Sequence, residues 1–401
     1  MSTRRPRQTP SRRQHRIACA ALAALAAAPA WALDASREDV AGFVAELSTR
    51  YGFDAAALTG LMAQAQSQPS IVASISRPAE KTLSWQEYRA RFITDRRVSR
   101  GAEVGVAQAD ALRRAAAGGV PAEYLLAITG VETFYGETTG KYRVVDALAT
   151  LGFDYPPRSK FFRGQLEQYL LMAREESLDP LVPLGSYAGA MGVPQFMPGS
   201  FRAYAVDGDG DGRRDLWNDW SDVFASIANY LLQNGWHPGE PVMTAADVTG
   251  ANLDGLATDR LALPDTVQSL RDRGVKFETT LPPDAPAVLI PLALADGVEY
   301  RVGFSNYLAI TRYNRSELYA SAVNDLAEDI ARARTAGGAP APAPQAIIDP
   351  SPPSPPPQPP SPTAAVGATE PDTARAGSGS FQSGPAPAPA NSPDSTTTPP
   401  Q

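Results

Sequence analysis

The sequence predicts a mainly α-helical fold of the α+β class, with a helical N-terminal part, a larger core and a small β portion. Apolar residues recur at helical spacing through most of residues 33–335, starting with Val40, Phe43, Val44 and Leu47. Residues 240–312 instead contain short runs rich in β-branched residues, separated by proline and glycine. Both ends of the 401-residue chain differ in composition from this region and are not expected to join its core.

The first 32 residues have the composition of a secretory signal peptide. Six arginines and no acidic residue precede an apolar run, Ile17 to Ala28, and small residues follow at Ala30-Trp31-Ala32. Cys19 lies at the start of the apolar run, whereas a lipid-attachment cysteine would lie at its end. We therefore expect an exported protein without a lipid anchor.

The composition of the remaining chain excludes several classes of function. Removing six of the 36 basic residues, against 43 acidic ones, leaves a formal net charge of −13, which argues against nucleic acid as a partner. No cysteine remains to form a disulfide, and no later apolar stretch is long enough to cross a membrane. His237 is the one remaining histidine, which excludes multi-histidine metal sites.

Several helix and strand boundaries can be placed from their terminal residues. Helices are predicted at Tyr124–Tyr135, after Pro121 and before Gly136, at Asp222–Asn234 before Gly235, and after a capping Ser316. Strands are predicted at Ala287–Leu292 and Tyr300–Phe304. Residues 340–401 contain 19 of the chain's 38 prolines, and we expect a disordered tail over residues 336–401. Envelope proteins as partners of this tail, or a solvated tail without a function of its own, are equally good interpretations.

Glu132 is the first candidate for chemistry, because it shares a predicted helix face with apolar residues. Leu125, Ile128, Glu132 and Tyr135 follow one another at spacings of three and four. Burial and the negative end of the helix dipole should both raise the pKa of Glu132, as a general acid requires. An ion pair with Lys141 or Arg143 is an equally good explanation at this stage. Whether Asp146 or Glu137 approaches as a second acid is also open.

Two further segments could form a binding groove. Residues 185–201, GSYAGAMGVPQFMPGSF, combine small residues with Ser186, Gln195 and Met197, and form either a groove wall or a tight packing loop around Gly189 and Gly192. The segment TRYNRSELY offers aromatic rings and an amide suited to sugars. It fits a strand-to-helix turn with local caps equally well.

The segment from Asp207 to Gly212 resembles an EF-hand calcium loop. Aspartates occupy positions 1, 3 and 5, glycine occupies position 6, and the carbonyl of Arg213 would be the ligand at position 7. Asn218 stands where a bidentate glutamate is expected, and Asp222 is the nearest acid that could close a longer loop. We expect structural calcium in preference to magnesium, with a metal-free Asp/Gly turn as the alternative, and no organic cofactor.

Together, GVETFYG, SYAGAMGVPQFMPGSF and TRYNRSELYA resemble the motifs of the membrane-bound lytic murein transglycosylase B family. The resemblance extends from Leu33 to Ala333 and includes YRARFIT at Tyr88 and DALATLGFDYP at Asp146. It implies a lysozyme-like core, at about residues 113–239 and 300–320, and a periplasmic enzyme with an EF-hand-like calcium site. It also implies non-hydrolytic cleavage of the bond between N-acetylmuramic acid and N-acetylglucosamine in peptidoglycan, giving 1,6-anhydromuramyl ends.

The resemblance also assigns roles to individual residues. Glu132 would act first as acid and then as base, and the calcium ligands would be Asp207, Asp209, Asp211, Asp222 and the carbonyl of Arg213. Pro157-Arg158 stands where the family often has two arginines, and the loop before Asp222 is one residue longer than the family pattern. The implied glycan contacts are Tyr88, Arg158, Ser186, Gln195, Phe196, Tyr230, Tyr313, Asn314 and Tyr319.

Two other functions remain open on the sequence alone. A hydrolytic muramidase would use the same acid but let water attack. A non-catalytic peptidoglycan-binding protein would keep the groove and would not need Glu132.

Overall fold

The computed structural model describes residues 31–76, 83–256 and 258–335. The predicted tail, and the predicted signal peptide except Trp31 and Ala32, lie outside these residues. The helices are α1 (Glu38–Tyr51), α2 (Ala55–Gln64), α3 (Pro69–Ile75), α4 (Trp85–Phe92), α5 (Asp95–Ala107), α6 (Ala109–Ala116), α7 (Ala122–Thr133), α8 (Val144–Phe153), α9 (Ser159–Glu175), α10 (Pro198–Tyr204), α11 (Trp220–Gln233), α12 (Val267–Asp272), α13 (Ser305–Tyr313) and α14 (Glu317–Thr335). The strands are β1 (Trp31–Ala32), β2 (Gln66–Ser67), β3 (Tyr142–Arg143), β4 (Leu184–Gly185), β5 (Met243–Ala246), β6 (Asp265–Thr266), β7 (Pro286–Leu294) and β8 (Gly297–Gly303).

The N-terminal helices form where side-chain caps and apolar spacing agree. Asp54 accepts a hydrogen bond from a backbone N–H of α2, Ser84 and Glu87 form a capping box on α4, and Thr94 caps α5. The predicted inner face of α1 is buried throughout, from Val40 to Leu47. These helices confirm the predicted helical character of this part.

Helix α7 lies at the centre of the helical body, in contact with α5, α6, α11 and α14. Every residue from Leu125 to Thr133 is buried, so α7 has no solvent-facing side in that stretch. Pro121 is its N-cap, and the helix ends at Thr133, two residues before the predicted end. The final helix α14 packs along α7, and Ser316 accepts a hydrogen bond from the Tyr319 N–H, as its predicted capping role requires.

The predicted β runs pair as an antiparallel hairpin, β7 and β8, within a four-stranded sheet of order β5-β8-β7-β6. The sheet packs with α12 around a separate small apolar cluster. Helices α12 and α13 interrupt the stretch that was expected to be β-rich. The segment TRYNRSELY therefore joins two helices, α13 and α14, and the predicted strand-to-helix turn is wrong.

A buried ion pair joins the sheet to the helical body. Arg301 on β8 donates to both carboxylate oxygens of Asp325 on α14, at 2.5 and 3.2 Å, and Arg89 on α4 donates to the same carboxylate at 2.8 Å. The Arg301 guanidinium also lies 5.2 Å from the centre of the Trp85 ring. Among the described residues, no helix is both long enough and apolar enough to span a bilayer.

Candidate active site

A cleft of about 210 Å³ opens between α7, α9, α11, the 185–201 segment and the α13–α14 turn. It brings together eight of the residues that the sequence pointed to: Glu132, Ser186, Gln195, Phe196, Met197, Tyr230, Tyr313 and Asn314. These residues are separated by up to 182 positions in the chain, so their convergence is a property of the fold.

Glu132 lies in the last turn of α7 and is 8% exposed. Tyr319 of α14 donates a hydrogen bond from its hydroxyl to Oε1 of Glu132 at 2.7 Å. The ion-pair explanation is not favoured, because Arg143 instead pairs with Asp146 and Lys141 lies over the Tyr142 ring. Neighbouring elements enclose α7 on all sides from Leu125 to Thr133. Glu132 is therefore shielded from bulk water because the whole helix is buried, and not because it lies on a single apolar face.

Neither candidate for a second acid lines the cleft. Asp146 is 1% exposed and accepts two hydrogen bonds from Arg143, at 2.7 and 2.9 Å, and one from the Gln66 N–H at 2.8 Å. Glu137 forms a surface ion pair with Arg96 at 3.3 Å. Among the described residues that line the cleft, Glu132 is the sole carboxylate.

The turn that follows Glu132 has an unusual backbone. Phe134 and Tyr135 both adopt the left-handed region, with φ of 51° and 58°, which costs non-glycine residues on the order of 1–2 kcal/mol each. The Tyr135 hydroxyl donates to the Arg97 carbonyl at 2.8 Å, and the Thr133 hydroxyl donates to the Val193 carbonyl at 2.9 Å. These bonds hold the end of α7 in one position, and Tyr135 does not continue the predicted helix face.

Aromatic hydroxyls border the carboxyl group. Tyr313 and Tyr319 have nearly parallel rings, 10° apart with centroids at 6.4 Å, and the Tyr313 hydroxyl donates to the Pro194 carbonyl at 2.6 Å. Burial, followed by the charge of Glu132, raises the pKa of both phenols well above the usual value. Both therefore remain hydrogen-bond donors at neutral pH.

The 185–201 segment forms one wall of the cleft. Gln195 has a φ of 52°, and its side-chain amide donates to the carbonyls of Thr139 and Gly192 at 3.0 and 2.8 Å. Gly192 has a φ of 68°, and a Cβ there would collide with the Leu216 carbonyl. The segment is therefore both a tightly packed loop and a cleft wall, so the two interpretations of its sequence hold together.

Tyr88, Arg158 and Tyr319 are predicted glycan contacts that lie outside the cleft lining. Tyr319 is fully buried and contacts Glu132 through its hydroxyl. Tyr88 is buried in α4 against Phe92, with ring centroids at 4.8 Å. Arg158 lies 4.5 Å over the ring of Phe161, which does line the cleft.

Sequence reasoning did not single out Phe161 and Gln165, although their three- and four-residue spacing after Arg158 places them on one helix face. Four more lining residues lie within the segments that it did single out but were not named individually: Ala188, Ala190, Ser200 and Arg312.

The aspartate loop brings three carboxylates together. Asp207, Asp209 and Asp211 each offer an oxygen within 4.8 Å of the others, a donor set suited to a hard cation such as calcium. Asp222 is buried at the base of the loop, where its oxygens accept the N–H groups of Gly208 and Asp215 at 2.7 and 2.6 Å. Burial raises the pKa of Asp222 to about 6. Asp222 thus fixes both ends of the loop, and its role as a direct ligand stays a prediction.

Comparison with known proteins gives consistent matches over the described region. Residues 35–328 match the family described as the transglycosylase SLT domain. The chain is 39% identical to the membrane-bound lytic murein transglycosylase B of Escherichia coli (strain K12), over 73% of this chain and 82% of that protein.

Solved structures match equally well. The lytic transglycosylase SltB1 of Pseudomonas aeruginosa superposes with a TM-score of 0.71 at 48% identity, covering 74% of this chain and 98% of that one. The Escherichia coli lytic transglycosylase Slt35, solved in complex with calcium, gives a TM-score of 0.69 at 37% identity, covering 76% and 97%. The predicted lysozyme-like α+β fold is confirmed by these neighbours, and the chain belongs to the transglycosylase SLT domain family.

Proposed function

We propose that this protein is a peptidoglycan lytic transglycosylase, which cleaves the β-1,4 bond between N-acetylmuramic acid and N-acetylglucosamine without water. The observation that carries the proposal is Glu132, the sole carboxyl group among the described residues of the cleft lining, which is buried and accepts a hydrogen bond from Tyr319. The family and the names of its members agree with this function.

A single carboxylic acid suffices for both steps of this reaction. Protonated Glu132 gives its proton to the glycosidic oxygen as the bond to the muramyl C1 breaks, and N-acetylglucosamine leaves with a free hydroxyl group. The resulting carboxylate then takes the proton of the muramyl C6 hydroxyl while that oxygen bonds to C1. A 1,6-anhydro ring forms, and Glu132 is protonated again for the next cycle.

The surroundings of Glu132 suit this exchange. Burial disfavours its charged form before the first step, and the Tyr319 hydroxyl at 2.7 Å stabilises the carboxylate once it appears. A hydrolase with two carboxylates would need a second acid at the cleft, and Asp146 and Glu137 are engaged by arginines elsewhere. We assign glycan contacts to the predicted lining residues, with Tyr88, Arg158 and Tyr319 contributing from outside the cleft lining.

The reaction products separate this function from its alternatives. The protein is incubated with purified murein, and the released sugars are analysed for anhydromuramyl and reducing ends. We expect anhydromuramyl ends from the wild type and from Glu137→Gln, a matched control outside the cleft, and none from Glu132→Gln, which should still bind murein. Reducing ends alone would indicate a hydrolytic muramidase, and binding without turnover in the wild type would indicate a binding protein.

We further propose that the aspartate loop holds one structural calcium ion, through Asp207, Asp209, Asp211 and the Arg213 carbonyl, with Asp222 closing the loop. The ion would neutralise three adjacent carboxylates and tie the end of α10 to the start of α11, which carries Tyr230 into the cleft. Saturating calcium should raise the melting temperature of the wild type and not that of Asp209→Asn. An equal response of both proteins would contradict the assignment.

The compartment is also part of the proposal. The arginine-rich, then apolar N-terminus favours export to the periplasm, where peptidoglycan lies. Cleavage after Ala32 would remove β1, the two-residue strand that pairs with β2. The N-terminal sequence of the protein recovered from the periplasm tests this directly, and an intact Met1 would contradict it.

A further inference from the structure

Thr133 follows Glu132 directly and connects the end of α7 to the wall of the cleft. Its side chain is fully buried. The hydroxyl donates to the Val193 carbonyl at 2.9 Å, accepts the Gly136 N–H at 3.0 Å, and lies 3.3 Å from the Thr129 carbonyl. A threonine hydroxyl has one proton to donate, and the shorter contact has the better hydrogen-bond length. The principal bond of this side chain therefore leaves its own helix.

The carbonyl that accepts this bond belongs to a loop with a fixed backbone. The Val193 N–H donates to the Leu216 carbonyl at 2.8 Å, and the neighbouring Pro194 carbonyl accepts the Tyr313 hydroxyl at 2.6 Å. We call residues 192–196 the wall loop. Because these bonds hold it from two other parts of the chain, the wall loop gives the threonine hydroxyl a rigid partner.

The wall loop also carries two side chains into the cleft. Gln195 and Phe196 line the cleft together with Glu132. The Glu132 carboxyl group is held by the Tyr319 hydroxyl at 2.7 Å, while the backbone next to it is held by the wall loop through Thr133. The acid and the side chains around the substrate therefore share one framework, and the Thr133 hydroxyl bonds its two parts directly.

A purely structural role would be the ordinary one for such a hydroxyl, because threonines inside helices often donate to a carbonyl of the preceding turn. Thr129 shows this pattern, since it is also fully buried in α7 and its hydroxyl donates to the Leu126 carbonyl at 2.9 Å. Thr133 differs in that its shorter bond crosses to the wall loop, beside the reacting carboxyl group. The two threonines therefore form a matched pair in which the partner of the hydroxyl differs.

We propose that Thr133 is a positioning residue for the transglycosylase reaction, whose hydroxyl locks Glu132 to the wall loop. This inference rests on the proposed function, in which the Glu132 carboxyl group must reach first the glycosidic oxygen and then the C6 hydroxyl. A misplacement of about 1 Å can lower such a rate by about a hundredfold. Thr133 lies outside the described lining of the cleft, so the loss of its hydroxyl should slow the chemistry and leave substrate binding in place.

The test removes the hydroxyl from each threonine in turn. Thr133→Val replaces the hydroxyl with a methyl group of similar size, Thr133→Ser keeps the hydroxyl, and Thr129→Val is the matched control. The wild type and each variant digest soluble murein glycan strands, and anhydromuramyl ends are counted to obtain kcat and KM. Urea unfolding of the same proteins gives the folded fraction, by which kcat is corrected.

We expect Thr133→Val to lower the corrected kcat by about ten- to a hundredfold and to change KM by less than about twofold. Thr133→Ser should recover most of this loss, because its hydroxyl can make the same bond to Val193. Thr129→Val should keep a corrected kcat close to that of the wild type, although each valine variant loses one buried hydrogen bond and some stability. A purely structural role would instead give the two valine variants the same corrected kcat.

Equal corrected kcat values in Thr133→Val and Thr129→Val, or a rise in KM at unchanged kcat, would overturn the proposal and leave the transglycosylase assignment intact. If Thr133→Val does not fold, Thr133→Ala and Thr133→Ser make the same comparison, because both lack the methyl group and differ in the hydroxyl. Equal kcat values in that pair would likewise overturn it. The absence of anhydromuramyl ends with the wild type would refute the proposed function itself.

Discussion

The Tyr135 side chain lies between α5 and α7. It fits there because both helices carry a glycine, Gly101 or Gly130, at the point of contact. A Cβ added at Gly101 on α5 would collide with the Tyr135 hydroxyl and lie 2.7 Å from Cδ1 of Ile330, and one at Gly130 on α7 would lie 2.7 Å from the same hydroxyl. Tyr135 cannot move aside freely, because its hydroxyl donates to the Arg97 carbonyl and its backbone is left-handed. We therefore predict that Gly101→Ala disturbs the turn that ends α7 just after Glu132.

The magnitude follows from two opposing terms. Alanine in place of glycine stabilises a helix interior by about 1 kcal/mol, and overpacking a rigid core costs about 1–3 kcal/mol. Gly101→Ala should thus lower the free energy of unfolding by up to about 2 kcal/mol. Gly42→Ala in α1 is the matched control, since a Cβ there meets nothing within 4 Å and should stabilise the protein.

Urea unfolding of both variants measures these free energies, and a double-mutant cycle identifies the contact. Tyr135→Phe loses one hydrogen bond, at a cost of about 1 kcal/mol, but also removes the oxygen that the new methyl group would strike. The double variant should therefore be more stable than the two single changes predict, and turnover of Gly101→Ala should fall more than its folded fraction. Additive free energies, or equal changes in Gly101→Ala and Gly42→Ala, would refute this reasoning.

Three further predictions concern buried groups. Tyr319→Phe removes the hydrogen-bond donor to Glu132. Because a hydrogen bond to a charged group contributes about 1.5–3 kcal/mol, kcat should fall by about ten- to a hundredfold, while the circular dichroism spectrum stays unchanged. An unaltered kcat would contradict a role for the hydroxyl. Asp325→Ala leaves Arg301 buried without its carboxylate and should lower the free energy of unfolding, measured in urea, by about 3–5 kcal/mol. Asp110→Ala, which breaks an exposed ion pair, should lower it little. Similar losses in both variants would show that the Arg301–Asp325 pair does not join the sheet to the helices. Burial raises the pKa of several phenols in the folded state, so the folded protein keeps protons that the unfolded chain releases, and stability should fall as pH rises above about 10. Urea unfolding at increasing alkaline pH measures this loss, and constant stability would contradict burial of these tyrosines: Tyr124, Tyr135, Tyr169, Tyr230, Tyr307, Tyr313 and Tyr319.

Local signals in the sequence predict local structure well, as the caps and the hairpin illustrate. Ser316 does cap α14, and the two runs from Ala287 and Tyr300 do pair as β7 and β8. The end of α7 was placed two residues late, because Phe134 and Tyr135 carry no local signal for a left-handed backbone. That conformation is maintained by partners far away in the sequence, Arg97 and Val193.

The site itself depends on distances that no local pattern encodes. Tyr319 reaches Glu132 across 187 positions of the chain, and α9 brings Phe161 to a cleft whose other residues lie on different elements. The resemblance to a family named half of the described residues that line the cleft, but it did not give their hydrogen bonds. The burial of Glu132 was predicted from one apolar face of the helix. In the structure, α7 is enclosed on every side from Leu125 to Thr133, so the predicted face is only part of the reason.

The chemistry follows from how the fold distributes its charges. The region after residue 32 has a large excess of acidic residues, yet one carboxyl group reaches the described lining of the cleft. Asp146 is tied to Arg143, Glu137 to Arg96, and the aspartates of the 207–211 loop to one another's backbone, so each is engaged away from Glu132. Among the described residues that line the cleft, a glycan therefore meets one acid, the guanidinium group of Arg312 and several neutral polar groups. Because no second carboxylate lies among the described lining residues to activate water, we infer that the substrate's own C6 hydroxyl acts as the nucleophile, as in the proposed ring closure.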